Sequence, residues 1–167
     1  NGAGFPRGEI GTVEVRGPNV FTGYWGMQEK TRAELRDSGF FITGDLGVMD
    51  ADGYLTIVGR GKDLIISGGL NVYPKEVEMA IDALPGVVES AVVGVPHGDF
   101  GEAVVAVVVG GVTAEQVMTG IAGALARFKQ PKHVAVVADL PRNAMGKVQK
   151  NLLRERFGGV FALGSPN

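Results

Sequence analysis

The sequence predicts an α+β fold: a small domain with a hairpin and a short mixed sheet flanked by helices, preceded by a β-rich stretch. Three observations carry this. Up to residue 58 the apolar residues alternate or fall in short runs, as strands do. Beyond residue 63, apolar residues spaced i, i+4 and i+7 take turns with strand-like apolar runs. Between the two lies Gly59-Arg60-Gly61-Lys62-Asp63, with two glycines and three charges in five residues, which reads as a flexible connection. The expected divisions are a β-rich part at 1–61, a mobile domain at 62–157 and a loose tail at 158–167.

Each element has its own local reason. Thr12-Val13-Glu14-Val15-Arg16 alternates, putting Val13 and Val15 on one face of a strand that Gly17-Pro18-Asn19 ends. Residues 28–36 are polar with helical character. Phe40-Phe41-Ile42 and residues 54–58 are the next strands, with Asp52-Gly53 as a hairpin signal before the second. Leu64-Ile65-Ile66 and Leu70-Asn71-Val72 flank Ser67-Gly68-Gly69, which predicts a hairpin. Pro74 suits the first position of a helix, and Val77, Ile81 and Leu84 give that helix an apolar stripe. Pro85-Gly86 stops it. Residues 87–95 form a strand. Residues 103–109 are apolar without alternation, so that strand is buried on both faces. Thr113-Ala114-Glu115-Gln116 is a capping box, and Val117, Ile121 and Leu125 continue its helix. Residues 134–138 form a strand and 149–157 a short terminal helix.

Composition bounds the function. The chain has 167 residues, 45% hydrophobic and 20% charged, which is a globular balance. A net charge of −2 offers no global attraction for nucleic acid or an anionic membrane, so neither is an expected partner. The absence of cysteine excludes disulfides, thiolate metal sites and cysteine nucleophiles, and fits the cytoplasm. No apolar run approaches the roughly 18 residues of a membrane span. The first residues, Asn1-Gly2-Ala3-Gly4-Phe5-Pro6, have neither the charge nor the apolar core of a signal peptide, and no initiator Met. The chain is therefore expected to begin inside a longer protein. Its β-rich part is too short to bury a core of its own and reads as the end of a larger N-terminal domain.

Four segments have chemical potential. Asp45, after Thr43-Gly44 at the expected end of a strand, offers a charged acceptor for the two hydroxyls of a ribose; a turn or cap role is the plain alternative. Arg60 and Lys62 sit in the connection, where the guanidinium offers multidentate donation; a solvated charge pair is the alternative. Gly68 and Gly69 leave room for a slender ligand near the backbone, or simply form a turn. Pro141-Arg142-Asn143-Ala144-Met145-Gly146-Lys147 puts a lysine on a glycine-bearing loop that can neutralise phosphate charge. It is not a P-loop, because Pro141 and Val148 stand where that motif needs Gly and Ser or Thr. His97 and His133 lack any companion with metal-ligand spacing, so no metal site is expected. The basic stretch 127–133, with its aromatic Phe128, suits the phosphates and adenine of a nucleotide cofactor.

In order, these segments resemble the late motifs of the adenylate-forming superfamily of acyl- and aryl-CoA synthetases, peptide-synthetase adenylation domains and luciferases. The resemblance spans residues 8–157. It rests on Gly23-Tyr24-Trp25, Phe41-Ile42-Thr43-Gly44-Asp45, the connection Gly59 through Asp63, the run from Ser67 through Glu78, Gly94-Val95-Pro96 and the lysine loop. Leu140 through Lys150 and Gly59 through Glu78 are similar to the malonyl-CoA synthetases within it.

The resemblance implies an acid–thiol ligase that uses ATP, Mg²⁺ and CoA to join a small carboxylic acid, malonate or methylmalonate, to CoA through an acyl-adenylate. It implies Asp45 and Arg60 on the ATP ribose, Lys62 as the hinge, and Lys147 as the adenylation lysine. Gly68 and Gly69 would line the pantetheine tunnel, and Phe100 and Phe128 would stack the CoA adenine. Gln130 replaces a basic residue of some relatives. The lysine loop also resembles acetylation sites, implying a lysine acetyltransferase and deacetylase as partners of Lys147. The acyl pocket would lie upstream, so the isolated chain is expected to be inactive. The alternatives are a non-catalytic nucleotide- or partner-binding module, and an adenylating enzyme with another acid or acceptor.

Overall fold

A computed structural model describes residues 4–162. The chain divides between Lys62 and Asp63 into two compact units. The architecture is α+β, with four α-helices and two sheets among the described residues.

The first unit is a three-stranded antiparallel sheet: β1 (Ile10–Val15), β2 (Phe41–Met49) and β3 (Leu55–Arg60), in that spatial order. Helix α1 (Gln28–Glu34) links β1 to β2. Strand β2 is longer than the apolar run Phe40-Phe41-Ile42 predicts. It carries on beyond a bulge at Thr43-Gly44-Asp45, because its backbone pairs with β1 before the bulge and after it, and with β3 from Asp45 onward. Asp45 therefore lies inside a strand and not at its end. Gly47 is buried there, where a Cβ would come within 2.9 Å of both Leu55 and Val13. The unit buries no large apolar side chain among its described residues. Trp25 is fully exposed, and Leu55 and Ile57 of β3 are about half exposed.

β3 runs on to Arg60, so this arginine belongs to the sheet and not to a free connection. A single 3₁₀ turn, Gly61–Asp63, follows.

The second unit has a five-stranded mixed sheet. β4 (Ile65–Ser67) and β5 (Leu70–Val72) form the expected hairpin. β6 (Val87–His97) and β7 (Gly101–Gly110) are antiparallel neighbours over almost their full lengths. β7 also meets β4 at Ser67–Gly101, and pairs in parallel with β8 (His133–Val137). The parallel pairing needs a long crossover, which α3 (Ala114–Ile121) supplies.

Side-chain alternation on β6 and β7 makes two cores, one on each face of the sheet. Val92, Val104, Ala106 and Val108 pack with Val77 and Ile81 of α2 (Pro74–Asp82) and with Val117 and Ile121 of α3. Ala91, Val93, Val95, Val105 and Val107 pack with Leu140 and with Leu153 of α4 (Lys150–Phe157). This explains why 103–109 lacks alternation: both faces are covered, and Ala103 through Val108 are at most 1% exposed. Thr113 makes the predicted reciprocal capping box with Gln116. Helix α3 stops at Ile121 and does not reach Leu125, since Gly120 and Gly123 weaken its end. Leu125 is buried all the same, and the Gln130 side chain donates to the carbonyls of Ala122 and Leu125 at 3.2 and 3.0 Å.

Two further points bear on the site. Glu78 is buried on α2; its Oε1 accepts from the Val92 amide at 2.9 Å and from Lys150 Nζ at 2.6 Å, tying α2 to β6 and α4. The stretch after α4 is not loose as far as it is described. Val160 and Phe161 pack on the second core because α4 leaves an apolar edge there. Residues 163–167 lie outside the described residues.

Candidate functional site

In the first unit, Asp45 and Arg60 are partners across β2 and β3. Arg60 Nε lies 2.8 Å from Asp45 Oδ1, and a terminal guanidinium nitrogen donates to the Thr43 carbonyl at 3.0 Å. Thr43 Oγ1 accepts from the Asp45 amide at 3.1 Å and donates to the Val13 carbonyl at 2.9 Å. Gly44, at φ +76°, sits at the bulge in β2 that lets these groups converge. The two side chains are 25% and 52% exposed, so a carboxylate acceptor and a guanidinium donor stand together at the surface. This suits a vicinal diol, whose hydroxyls both donate to a carboxylate and accept from a guanidinium. An open cavity of about 640 Å³ nearby is lined by Tyr24, Glu34, Thr43, Gly44, Arg60 and Lys62 among others. Asp45 is outside its wall, so the ion pair, and not the cavity, defines the candidate site. On the cavity wall, Tyr24 donates its hydroxyl proton to Glu34 Oε2 at 2.6 Å. That hydrogen bond, with smaller contributions from burial and the Glu34 charge, holds the Tyr24 pKa above its ordinary value.

Lys62 is exposed in the 3₁₀ turn. Its neighbour Asp63, in the second unit, accepts from Arg154 of α4 at 2.6 Å. In sequence, only Gly61 and Lys62 separate two ion-paired residues, Arg60 and Asp63.

In the second unit, Gly68 and Gly69 form the β4–β5 turn with φ +58° and +79°. Two consecutive positive φ angles mark the type I′ geometry that suits glycine. The Gly68 amide donates to the Phe100 carbonyl at 2.9 Å, which brings the glycine turn beside Phe100. Phe100 is 38% exposed, with the Lys132 ammonium 5.2 Å from its ring centre. Phe128 is placed differently. It lies partly buried against the first core, so much of its ring is committed to packing.

Lys147 is exposed on a small hairpin closed by the Arg142–Val148 bridge and by a bond from the Gln149 amide to the Pro141 carbonyl at 2.8 Å. Gly146 takes φ +77° in it. Among the described residues the Lys147 ammonium has no ion-pair partner. Arg142 donates to the Gly146 carbonyl at 2.6 Å and pairs with Glu89 near the start of β6. The Gly68 turn and Phe100 lie by the other end of β6, where His97 meets Gly101. Glu89 and His97 are eight strand residues apart, about 26 Å. The lysine loop and the glycine turn therefore mark opposite ends of one rigid strand.

Among the described residues no group of three His, Cys, Asp or Glu is placed to hold a metal ion. No helix among them is long and apolar enough to cross a membrane.

Residues 76–147 match the family model of the AMP-binding enzyme C-terminal domain. The chain is 44% identical over 162 residues to a feruloyl-CoA synthase of Amycolatopsis sp, covering 95% of this chain and 33% of that protein. The chain belongs to the adenylate-forming, acyl-CoA synthetase superfamily. A second member, the long-chain-fatty-acid–CoA ligase FadD13 of Mycobacterium tuberculosis, is 43% identical over 153 residues, covering 90% of this chain and 30% of that protein. Among solved structures of the superfamily, ATP-bound MatB from Rhodopseudomonas palustris is 64% identical with a TM-score of 0.87, covering 94% of this chain and 32% of that one. The chain thus spans about a third of the length of the superfamily members it matches.

Within this AMP-binding C-terminal domain the structure adds residues that the motifs left without a role. Asn143, Arg142 and Glu89 hold the lysine loop, and Arg154 holds Asp63. Asn143 had a local signal, because an Asn two residues before an amide it can bind is a turn signature. Glu89 and Arg154 had none, since their partners are 53 and 91 residues away.

Proposed function

We propose that the chain is the C-terminal part of an AMP-forming acid–thiol ligase that activates a small carboxylate with ATP and passes the acyl group to CoA. The observation that carries this is the placement of the Lys147 loop and the Gly68-Gly69 turn at opposite ends of β6. A unit built this way offers a cation at one end and a narrow glycine-lined surface at the other. One rigid body can then serve two steps in turn.

In the first step a carboxylate oxygen bonds to the α-phosphorus of ATP and pyrophosphate leaves. Two anions must approach, and the Lys147 ammonium between them, unpaired among the described residues, lowers that repulsion. Asp45 and Arg60 hold the ribose. In the second step the sulfur of CoA bonds to the acyl carbon and AMP leaves. Gly68 and Gly69 pass the pantetheine arm, and the exposed face of Phe100, with Phe128, receives the adenine. Lys62 is the hinge between the steps, in the two-residue gap between Arg60 and Asp63. Magnesium enters with ATP as its counter-ion. No step is assigned to it on this chain.

The missing walls belong to the protein's own N-terminal domain. The exposure of Trp25, Leu55 and Ile57 in a unit with almost no core supports such a cover. Malonate or methylmalonate as the acid is supported by 64% identity to MatB and by the malonyl-CoA-synthetase-like wording of Gly59 through Glu78 and Leu140 through Lys150. The exposure of Lys147 also suits an acetyltransferase and deacetylase, whose action would switch adenylation off and on. The cytoplasm is the compartment that supplies ATP and CoA to such an enzyme.

An ATP–pyrophosphate exchange screen of the full-length protein across carboxylic acids tests this reading. Exchange with malonate or methylmalonate is the expected result. Exchange only with long-chain or aromatic acids would remove the substrate assignment, and no exchange with any acid would remove the ligase.

A further inference from the structure

The loop that carries Lys147 has one residue that holds the lysine's backbone at both ends. Asn143 Oδ1 accepts from the Lys147 amide at 2.9 Å and from the Met145 amide at 3.0 Å. The Asn143 amide donates to the Lys147 carbonyl at 2.9 Å, and its carbonyl accepts from the Gly146 amide at 2.9 Å. An amide oxygen has two acceptor sites, and both are used here. The Lys147 backbone is thus clamped through its N–H and its C=O, while its ammonium has no partner among the described residues. Arg142 ties the same loop to β6 through Glu89. A charge on a flexible stem, rooted in a fixed turn, is the arrangement of a cation that must be aimed but not neutralised.

We infer that Asn143 is a positioning residue for adenylation: its side-chain oxygen sets the direction in which Lys147 leaves the loop. This rests on the assignment of Lys147 to the first half-reaction. A different side chain at 143 keeps the two backbone bonds. Only an acceptor of the right length keeps the two side-chain bonds, so the clamp depends on the Asn side chain itself.

The test uses the full-length enzyme and four variants. Asn143→Ala lowers kcat of carboxylate-dependent ATP–pyrophosphate exchange about tenfold, the size of two lost hydrogen bonds, with KM for ATP within about twofold. Asn143→Gln, whose oxygen is displaced by one methylene, shows a comparable loss and serves if the alanine variant fails to fold. Asn143→Asp, which keeps both acceptor bonds, recovers most of the rate. Thioester formation from supplied acyl-adenylate is unaffected in all three. Hydrogen exchange at the Met145 and Lys147 amides accelerates in the Ala and Gln variants alone. Lys147→Ala is measured alongside. If it leaves exchange intact, the role of Lys147 is wrong and the inference falls with it. If it abolishes exchange while Asn143→Ala and Asn143→Gln behave as wild type, positioning alone is overturned. Equal loss in both half-reactions, or no recovery with Asp, also overturns it.

Discussion

Arg60 Nε sits 2.8 Å from Asp45 Oδ1, each residue opposite the other on β3 and β2. Both side chains are partly open to water, so the pair contributes only about 0–1 kcal/mol to stability. Its value is then in what it presents to a ligand. In the full-length enzyme, Arg60→Met and Asp45→Asn should each raise the KM for ATP by about tenfold or more, a charge-assisted hydrogen bond being worth roughly 1.5–3 kcal/mol. Melting temperature should barely move. Steady-state kinetics at varied ATP and thermal melts check both parts; a large fall in melting temperature with unchanged KM would make the pair structural.

Lys147→Ala should reduce adenylation by roughly 10²–10³-fold, the range for one lost contact to developing charge. Thioester formation from supplied acyl-adenylate should lose far less. Lys147→Gln, which copies acetyl-lysine's lost charge, should behave like Ala. The isolated 167-residue chain should not turn over ATP, CoA and malonate at all. Robust turnover would show that no further domain is needed.

Only Gly61 and Lys62 separate the Arg60 pair from the Asp63–Arg154 pair. Lys62→Pro should therefore slow the second half-reaction more than the first, because a locked φ removes one of the four soft backbone dihedrals of a two-residue gap. Single-turnover measurement of each half-reaction decides this. An unimpaired second step would reject Lys62 as the hinge.

Glu78 is buried and its carboxylate meets Lys150 at 2.6 Å. Lys150→Met leaves that charge without its partner. It should cost about 2–3 kcal/mol, somewhat under the roughly 3–5 of a fully buried pair because Lys150 keeps some contact with water. Denaturant unfolding of the 167-residue chain measures it. A loss below about 0.5 kcal/mol would show that the Val92 amide alone satisfies Glu78.

Tyr24 has its pKa raised by the hydrogen bond to Glu34. The neutral phenol is the form that the folded state favours. The stability it adds is fully present below the unfolded value of about 10 and is lost as pH rises through the folded value. Glu34→Gln should move the Tyr24 titration downward, read from the phenolate absorbance difference between the two proteins. An identical titration would show that Glu34 does not act on Tyr24.

Local rules were enough for much of the fold. The capping box at Thr113, the proline at the start of α2, the glycine pair between β4 and β5 and the unbroken apolar run of β7 are all decided by neighbouring residues. The order of short motifs was likewise enough to recognise the superfamily, and it marked Asp45, Arg60, Lys62, Gly68, Gly69 and Lys147 as residues to inspect. Tertiary structure decided what depends on distant partners. β2 resumes after the bulge at Thr43-Gly44-Asp45 because Leu46, Gly47 and Val48 are paired with β1 on one side and β3 on the other. Phe128 is drawn toward a core, and Val160 and Phe161 cover an edge, because apolar surface left by other elements must be buried. The separation of the lysine loop from the glycine turn along β6 is of the same kind. It depends on Glu89 meeting Arg142 and on Gly68 meeting Phe100, and no stretch of sequence contains both members of either contact.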